Sequence, residues 1–209
     1  MITLSHEEIR VLGALVEKDM ATPEYYPLSI NALVNACNQK TNREPMTAYS
    51  SETVEDALAS LRAKQLSTIT TGGSNRVPKF GHRTSETWNV NNRELAVLCV
   101  LMLRGAQTLN ELKTRTESLY RFDDLDAVEN TLQRLAERGF VVLLPKQAGM
   151  REPRWTHLIA GEPVQAAAGP AEQAHAVHGE PLTARVERLE FEVEQLRAQF
   201  EAFKKQFEG

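Results

Sequence analysis

The stretch Thr53 to Ile69, TVEDALASLRAKQLSTI, constrains this chain more than any other, because its design occurs twice. Val54, Leu58 and Leu61 stand at i, i+4 and i+7, which puts three apolar side chains on one helical face. Beyond Leu66 the residues become short and β-prone (Thr68, Ile69, Thr70, Thr71), and Gly72-Gly73-Ser74-Asn75 supplies a turn. Val128 to Leu144, VENTLQRLAERGFVVLL, repeats this: Val54-Glu55-Asp56-x-Leu58-x-x-Leu61 aligns on Val128-Glu129-Asn130-x-Leu132-x-x-Leu135 without a gap. A helix that runs straight into a strand, present twice, points to a duplicated unit.

The surrounding segments repeat in the same order. Ser5 is a good N-cap, with Glu7 and Glu8 where the helix dipole favours acids, and Ile9, Leu12, Leu15 and Val16 form the stripe of a first helix ending near Asp19. Pro23 and Pro27 predict an extended link, and Ser29 opens a second helix with Ile30, Leu33, Val34 and Cys37 inward. A polar loop over 38–45 precedes the third helix, capped near Ser50, and strands follow at 67–71, near Val77–Phe80 and near Thr87–Val90. In the second copy Glu94, Leu95, Val97 and Leu98 echo Glu8, Ile9, Val11 and Leu12, while Thr108-Leu109-Asn110-Glu111-Leu112 echoes Ser29-Ile30-Asn31-Ala32-Leu33. Strands Phe140–Leu144 and Arg154–Leu158 flank a turn around Gly149. Three helices and a hairpin, twice, is the plan of two tandem winged helices. The expected fold is mainly α with small β-wings (α+β), with one winged helix over 1–90 and a second over 91–160.

The chain has 209 residues, enough for two such domains and a tail. Residues 161–181 are poor in large apolar side chains and read as a flexible linker. Over 182–208, Leu182, Val186, Leu189, Val193, Leu196, Phe200, Phe203 and Phe207 are spaced alternately four and three apart, an unbroken heptad pattern. Val at a positions and Leu at d positions favour a parallel two-stranded coil, in which Arg185 would face Glu190 and Glu192 would face Arg197. The expected assembly is a homodimer through these eight positions. The alternative is a single helix laid against its own domains.

Net charge is −4, and the tail carries the excess, with nine acidic and five basic residues over 161–209. The domains are close to neutral, with nine basic and ten acidic residues over 1–90 and ten and nine over 91–160, so only a local patch would serve nucleic acid. No window approaches the length of an apolar membrane span and no signal-peptide pattern is present, which predicts a cytoplasmic protein. Cys37 and Cys99 each fall in an apolar helical stripe and read as buried thiols.

The run Pro27-Leu28-Ser29-Ile30-Asn31-Ala32-Leu33, continued by Ala36-Cys37-Asn38-Gln39-Lys40-Thr41-Asn42-Arg43-Glu44-Pro45, resembles the YceH family of uncharacterised bacterial proteins. Arg76-Val77-Pro78-Lys79-Phe80-Gly81-His82-Arg83 and Leu101-Met102-Leu103-Arg104-Gly105 resemble two further blocks of it. The likeness covers about residues 4–160 and implies tandem winged-helix domains in a cytoplasmic protein, but no activity.

No phosphate-binding loop, dinucleotide fingerprint, nucleophile elbow or HExxH occurs, and neither His6 nor His157 has an evident catalytic partner. The expectation is a non-enzyme with no cofactor and no metal. His175 and His178 alone fall short of a zinc ligand set. From Arg62 to Ser85 there are five basic residues and no acid. Double-stranded DNA is therefore the expected partner, contacted by the wing and the loop before helix three: Arg62, Arg76, Lys79, His82 and Arg83, with Asn38, Gln39, Lys40, Asn42 and Arg43. The loop amides read equally well as residues that hold a turn. Against major-groove reading, the third helices begin with Glu52, Glu55 and Asp56, and with Asp123, Asp124, Asp126 and Glu129. The competing expectation is a protein-interaction adaptor.

Overall fold

The computed structural model describes residues 3–72, 75–146 and 152–161. Among these residues seven α-helices and two antiparallel two-stranded sheets are present. The first half contains α1 (His6–Ala21), α2 (Ile30–Cys37), α3 (Ser51–Ala63), β1 (Ser67–Gly72) and β2 (Asn75–His82). A short α4 (Thr84–Trp88) leads to α5 (Asn92–Arg104), α6 (Leu109–Thr116), α7 (Leu125–Glu137), β3 (Val141–Leu143) and β4 (Trp155–His157).

Local chemistry sets these boundaries in parallel. Ser5 with Glu8 and Asn91 with Glu94 form capping boxes at the starts of α1 and α5. Ser29 and Thr108 cap α2 and α6, and Ser50 and Asp124 cap α3 and α7. Each third helix ends at a residue with positive φ, Gln65 (59°) in one half and Gly139 (73°) in the other. The chain then closes the turn by Leu66 N–H to Leu61 O and by Phe140 N–H to Leu135 O, both 2.8 Å. Leu28, just before α2, bridges to Phe80 in β2, and Gln107, just before α6, bridges to Trp155 in β4.

Residues Met1–Gln165 form one compact unit, so the expected boundary at 90/91 falls inside it, at the N-cap of α5. The reason is the packing of α1 on α5. Both helices are buried over most of their length, and one continuous hydrophobic core runs from Leu4 to Ile159. Gly13 makes the close approach possible, since a Cβ there would stand 2.9 Å from Leu103 Cδ2. Cys99 Sγ lies 3.5 Å from the Gly13 carbonyl, and Leu4 N–H donates to Ile159 O at 2.9 Å, joining the two ends of the unit.

Two expectations are corrected. The strand near Thr87–Val90 is helical over Thr84–Trp88, because this turn buries Trp88 against Phe140, with ring centroids 5.5 Å apart. The link over Pro23–Pro27 contains a single 3-10 turn, Pro23–Tyr25, and α1 runs on to Ala21. The turn around Gly149 lies outside the described residues, as do the linker, His175, His178 and the heptad positions Leu182, Val186, Leu189, Val193, Leu196, Phe200, Phe203 and Phe207. No helix of the described residues is long and apolar enough to cross a membrane.

Candidate functional site

The loop over 38–45 was expected to meet a ligand; in the structure Arg43 is buried, Asn38 and Gln39 are half-buried, and the remaining residues of the loop are exposed. Asn38 clamps the loop exit: its Nδ2 donates to Tyr49 O and its Oδ1 accepts from Tyr49 N–H, both at 2.8 Å. Arg43 is 6% exposed. Its guanidinium makes a two-pronged contact with Glu17 (3.1 and 2.5 Å), and it also donates to Ala36 O and Gln39 Oε1. Burial alone would raise the Glu17 carboxyl, but the Arg43 hydrogen bonds and charge hold it below the usual carboxylate range. Asn42 adopts φ 63° and accepts from Arg104 in α5, and Glu44 N–H donates to Leu103 O at 2.8 Å. The loop is therefore a clasp binding α1 and α2 to α5. Arg43 and Asn38 hold the loop to the fold through these contacts, and Gln39 and Asn42 have their side-chain carbonyls engaged within the clasp. Lys40 alone of the five is exposed with no partner among the described residues.

His82 is likewise engaged within the fold. Its side chain is 5% exposed. Nδ1 accepts from Thr84 N–H at 3.1 Å and Nε2 lies 3.2 Å from Asp19 Oδ2, which fixes the neutral tautomer with its proton on Nε2. Burial lowers its pKa against the pull of Asp19. Of the expected wing residues, Arg62 is exposed and Lys79 half-buried. The Arg83 side chain is 53% exposed and pairs with Glu86 at 3.2 Å. The side chain of Arg76 lies outside the described residues. Cys37 and Cys99 are free and fully buried, as expected, and burial pushes both thiols up, Cys37 to about 12.

The surface that remains is duplicated. On α3, Glu52 and Glu55 are exposed, and the positions 74 residues later on α7 are Asp126 and Glu129, also exposed. Along the strands the same offset relates Ile69 (39% exposed) to Leu143 (44% exposed). Leu28 and Phe80 exchange both of their backbone hydrogen bonds (3.0 and 2.8 Å), so Phe80 turns its N–H and C=O away from β1. Ile69, its partner across the ladder, therefore turns its own N–H and C=O to the outer edge of β1. Gln107 and Trp155 exchange the same pair of bonds (2.9 and 2.7 Å), which leaves Leu143 in the same state on β3. A groove of about 160 Å³ lies beside the β1 edge, between the strand and α3. Leu58, Ala59, Ile69 and Phe80 give it apolar walls, and Glu55 and Arg62 are its charged residues. Ile69 and Leu143 were missed in the sequence, although they hold the same place in the repeat.

The profile of the family described as "Protein of unknown function, DUF480" matches residues 4–150. Among similar proteins, the UPF0502 protein of Solibacter usitatus is 54% identical over 206 residues, covering 98% of this chain and 98% of its own. The UPF0502 protein of Citrifermentans bemidjiense is 52% identical over 163 residues, 77% of this chain and 75% of its own. That of Pelobacter propionicus is 45% identical over 218 residues, 98% of each chain. The family match runs from the first capping box past β3, the full-length relatives cover nearly all of the chain, and the chain belongs to the DUF480 (UPF0502) family of bacterial proteins.

Proposed function

We propose that this chain is a non-enzymatic protein-interaction adaptor, built from two YceH-like winged helices fused into one rigid body. In this reading it is cytoplasmic and dimerises through the heptads over 182–208. The helix order, the paired hairpins and the bridging residues Leu28 and Gln107 support the winged-helix assignment. One observation carries the adaptor reading. The third helices, which a DNA-reading winged helix would lay along the duplex, expose the acid pairs Glu52/Glu55 and Asp126/Glu129 at matching positions. A carboxylate about 4 Å from a phosphate is repelled by ~1 kcal/mol even in water, and the penalty recurs in both halves. Basic or amide-rich protein surfaces suit such faces better.

Double-stranded DNA keeps one specific observation in its favour: Lys40, Arg62 and Arg83 are exposed and Lys79 partly so, all in the first half. Fluorescence anisotropy of a labelled mixed-sequence duplex, titrated with full-length protein at about 50 and 200 mM salt, separates the readings. The adaptor predicts no binding at either salt. Micromolar binding that weakens steeply with salt, and is abolished by reversing the charges of Arg76, Lys79 and Arg83 together, overturns it.

A further inference from the structure

We infer that the outer edge of β1, with the groove beside it, is a docking site for an extended, basic segment of a partner protein, added to the sheet as a further strand. The inference rests on the adaptor reading and names the chemistry of the partner at one face. Ile69 turns its N–H and C=O outward from the edge, with no backbone partner among the described residues. An exposed edge of this kind accepts a further strand, which takes affinity from main-chain hydrogen bonds and specificity from pockets for alternate side chains. Here the pocket is the groove of about 160 Å³, which Ile69 and Phe80, paired across the ladder, line together with Leu58 and Ala59 of α3.

Chains usually blunt an open edge with charge or proline. The six residues of β1, Ser67 to Gly72, include neither, and Ile69 is 39% exposed. The second half differs where docking would need it to match. There β3 is three residues long, and Gln133 stands in the repeat position of Ala59, the smallest side chain lining the groove. The site therefore belongs to the first half.

Charge selects the occupant. The helix wall of the groove is the stripe Glu55, Leu58, Ala59 and Arg62. Glu52, Glu55 and Asp56 are exposed in the N-terminal half of α3, with no ion-pair partner among the described residues. Against them stands one cation in the groove, Arg62, about 10 Å along the helix from Glu55. Glu52 lies in the first turn and complements the helix dipole, but Glu55 and Asp56 lie beyond it, where the dipole has faded. A second copy docking edge to edge would answer one acid per copy with Arg62 and leave two unanswered, since its own β1 is uncharged. A basic segment answers all three. Its apolar residues, at alternate positions, fill the groove, and its basic residues lie toward Glu55 and Glu52. Arg62 repels them from the other end and so sets the direction of the strand.

The test is titration calorimetry of the full-length protein with a capped heptapeptide alternating Lys and Val. Two controls run beside it, one of the same composition with the alternation removed and one alternating Glu and Val. Hydrogen exchange is followed at the amides of Ile69 and Leu143. The expected result is one Lys/Val peptide per chain, bound at least ~10-fold more tightly than either control, with the Ile69 amide slowed and the Leu143 amide unchanged. Glu55→Arg, at an exposed position, should weaken that binding by ~10-fold or more while circular dichroism shows the fold retained, and Ile69→Lys should remove it. Equal binding of the two basic peptides, tighter binding of the acidic one, or no binding of any overturns the inference. So does binding that survives Glu55→Arg, or slowing at Leu143 to the same degree as at Ile69. Protection of the Ile69 amide in the peptide-free protein overturns it too, because the edge would then be covered already. Failure here with no duplex binding leaves the adaptor reading standing, whereas salt-sensitive duplex binding removes that reading whatever the peptides do.

Discussion

Arg43 shows what the sequence leaves unread at the level of single residues. In sequence, Asn-Gln-Lys-Thr-Asn-Arg is rich in groups that read nucleic acid, and nothing in the string reveals that Glu17, 26 positions upstream, faces Arg43 across the fold. Removing one partner of a buried pair leaves the other charge stranded, at a cost of about 3–5 kcal/mol. Arg43→Met should lower stability by that order in urea unfolding, and Glu17→Gln in the same background should cost less than it does alone. Glu17 is depressed in the fold, so its contribution is present above the unfolded carboxylate range and is lost as pH falls through the folded value. Acid unfolding of Arg43→Met should accordingly be less steep. His157 acts on a different window. Its Nδ1 is buried without a partner among the described residues, and burial, aided by the nearby His6, lowers its pKa to about 4. Because the unfolded ring titrates near ~6.5, stability should be complete above that pH, decline between there and about 4, and level off below, by on the order of 3 kcal/mol. His157→Phe should remove that component of the decline, leaving only the carboxylate and His82 contributions in a urea-midpoint series across pH.

At the scale of elements, most of the fold is legible. The N-caps Ser5, Ser29 and Ser50, the stripe Val54, Leu58 and Leu61, and the gapless match to Val128, Leu132 and Leu135 place helices and repeat together, because caps and periodicity are local signals. The α4 turn escapes because Thr87, Trp88 and Val90 carry β propensity, and burial of Trp88 on Phe140, far along the chain, decides the outcome. The edge residues escape for a related reason: Ile69 looks like any strand residue until the Leu28–Phe80 bridge shows which way its backbone faces. The ends of α3 and α7 offer a matched test. Gln65 holds a positive φ that costs a side chain roughly 1 kcal/mol, whereas Gly139 holds the equivalent conformation freely. Gln65→Gly should raise the thermal midpoint, and Gly139→Ala should lower it by about the same free energy.

The molecule as a whole behaves as less divisible than its repeat suggests. The sequence marks two domains because each half has its own caps, stripe and hairpin. It cannot show that α1 and α5 bury their remaining faces on each other at Gly13 and Leu103. With one core, urea unfolding of residues in both halves should be a single transition, coincident by far-UV circular dichroism and by the fluorescence of Trp88 and Trp155. Two separate transitions would restore independent domains. The contact between Leu4 and Ile159 has a consequence of its own. It brings two residues near opposite ends of the body within one hydrogen bond, so the path from Leu4 to Ile159 is nearly a ring, and where that ring is opened is a matter of synthesis more than of architecture. A circular permutant opened ahead of Asn91, with the old ends joined by a short bridge, would translate α5 first and α1 after β4 yet keep every contact described above.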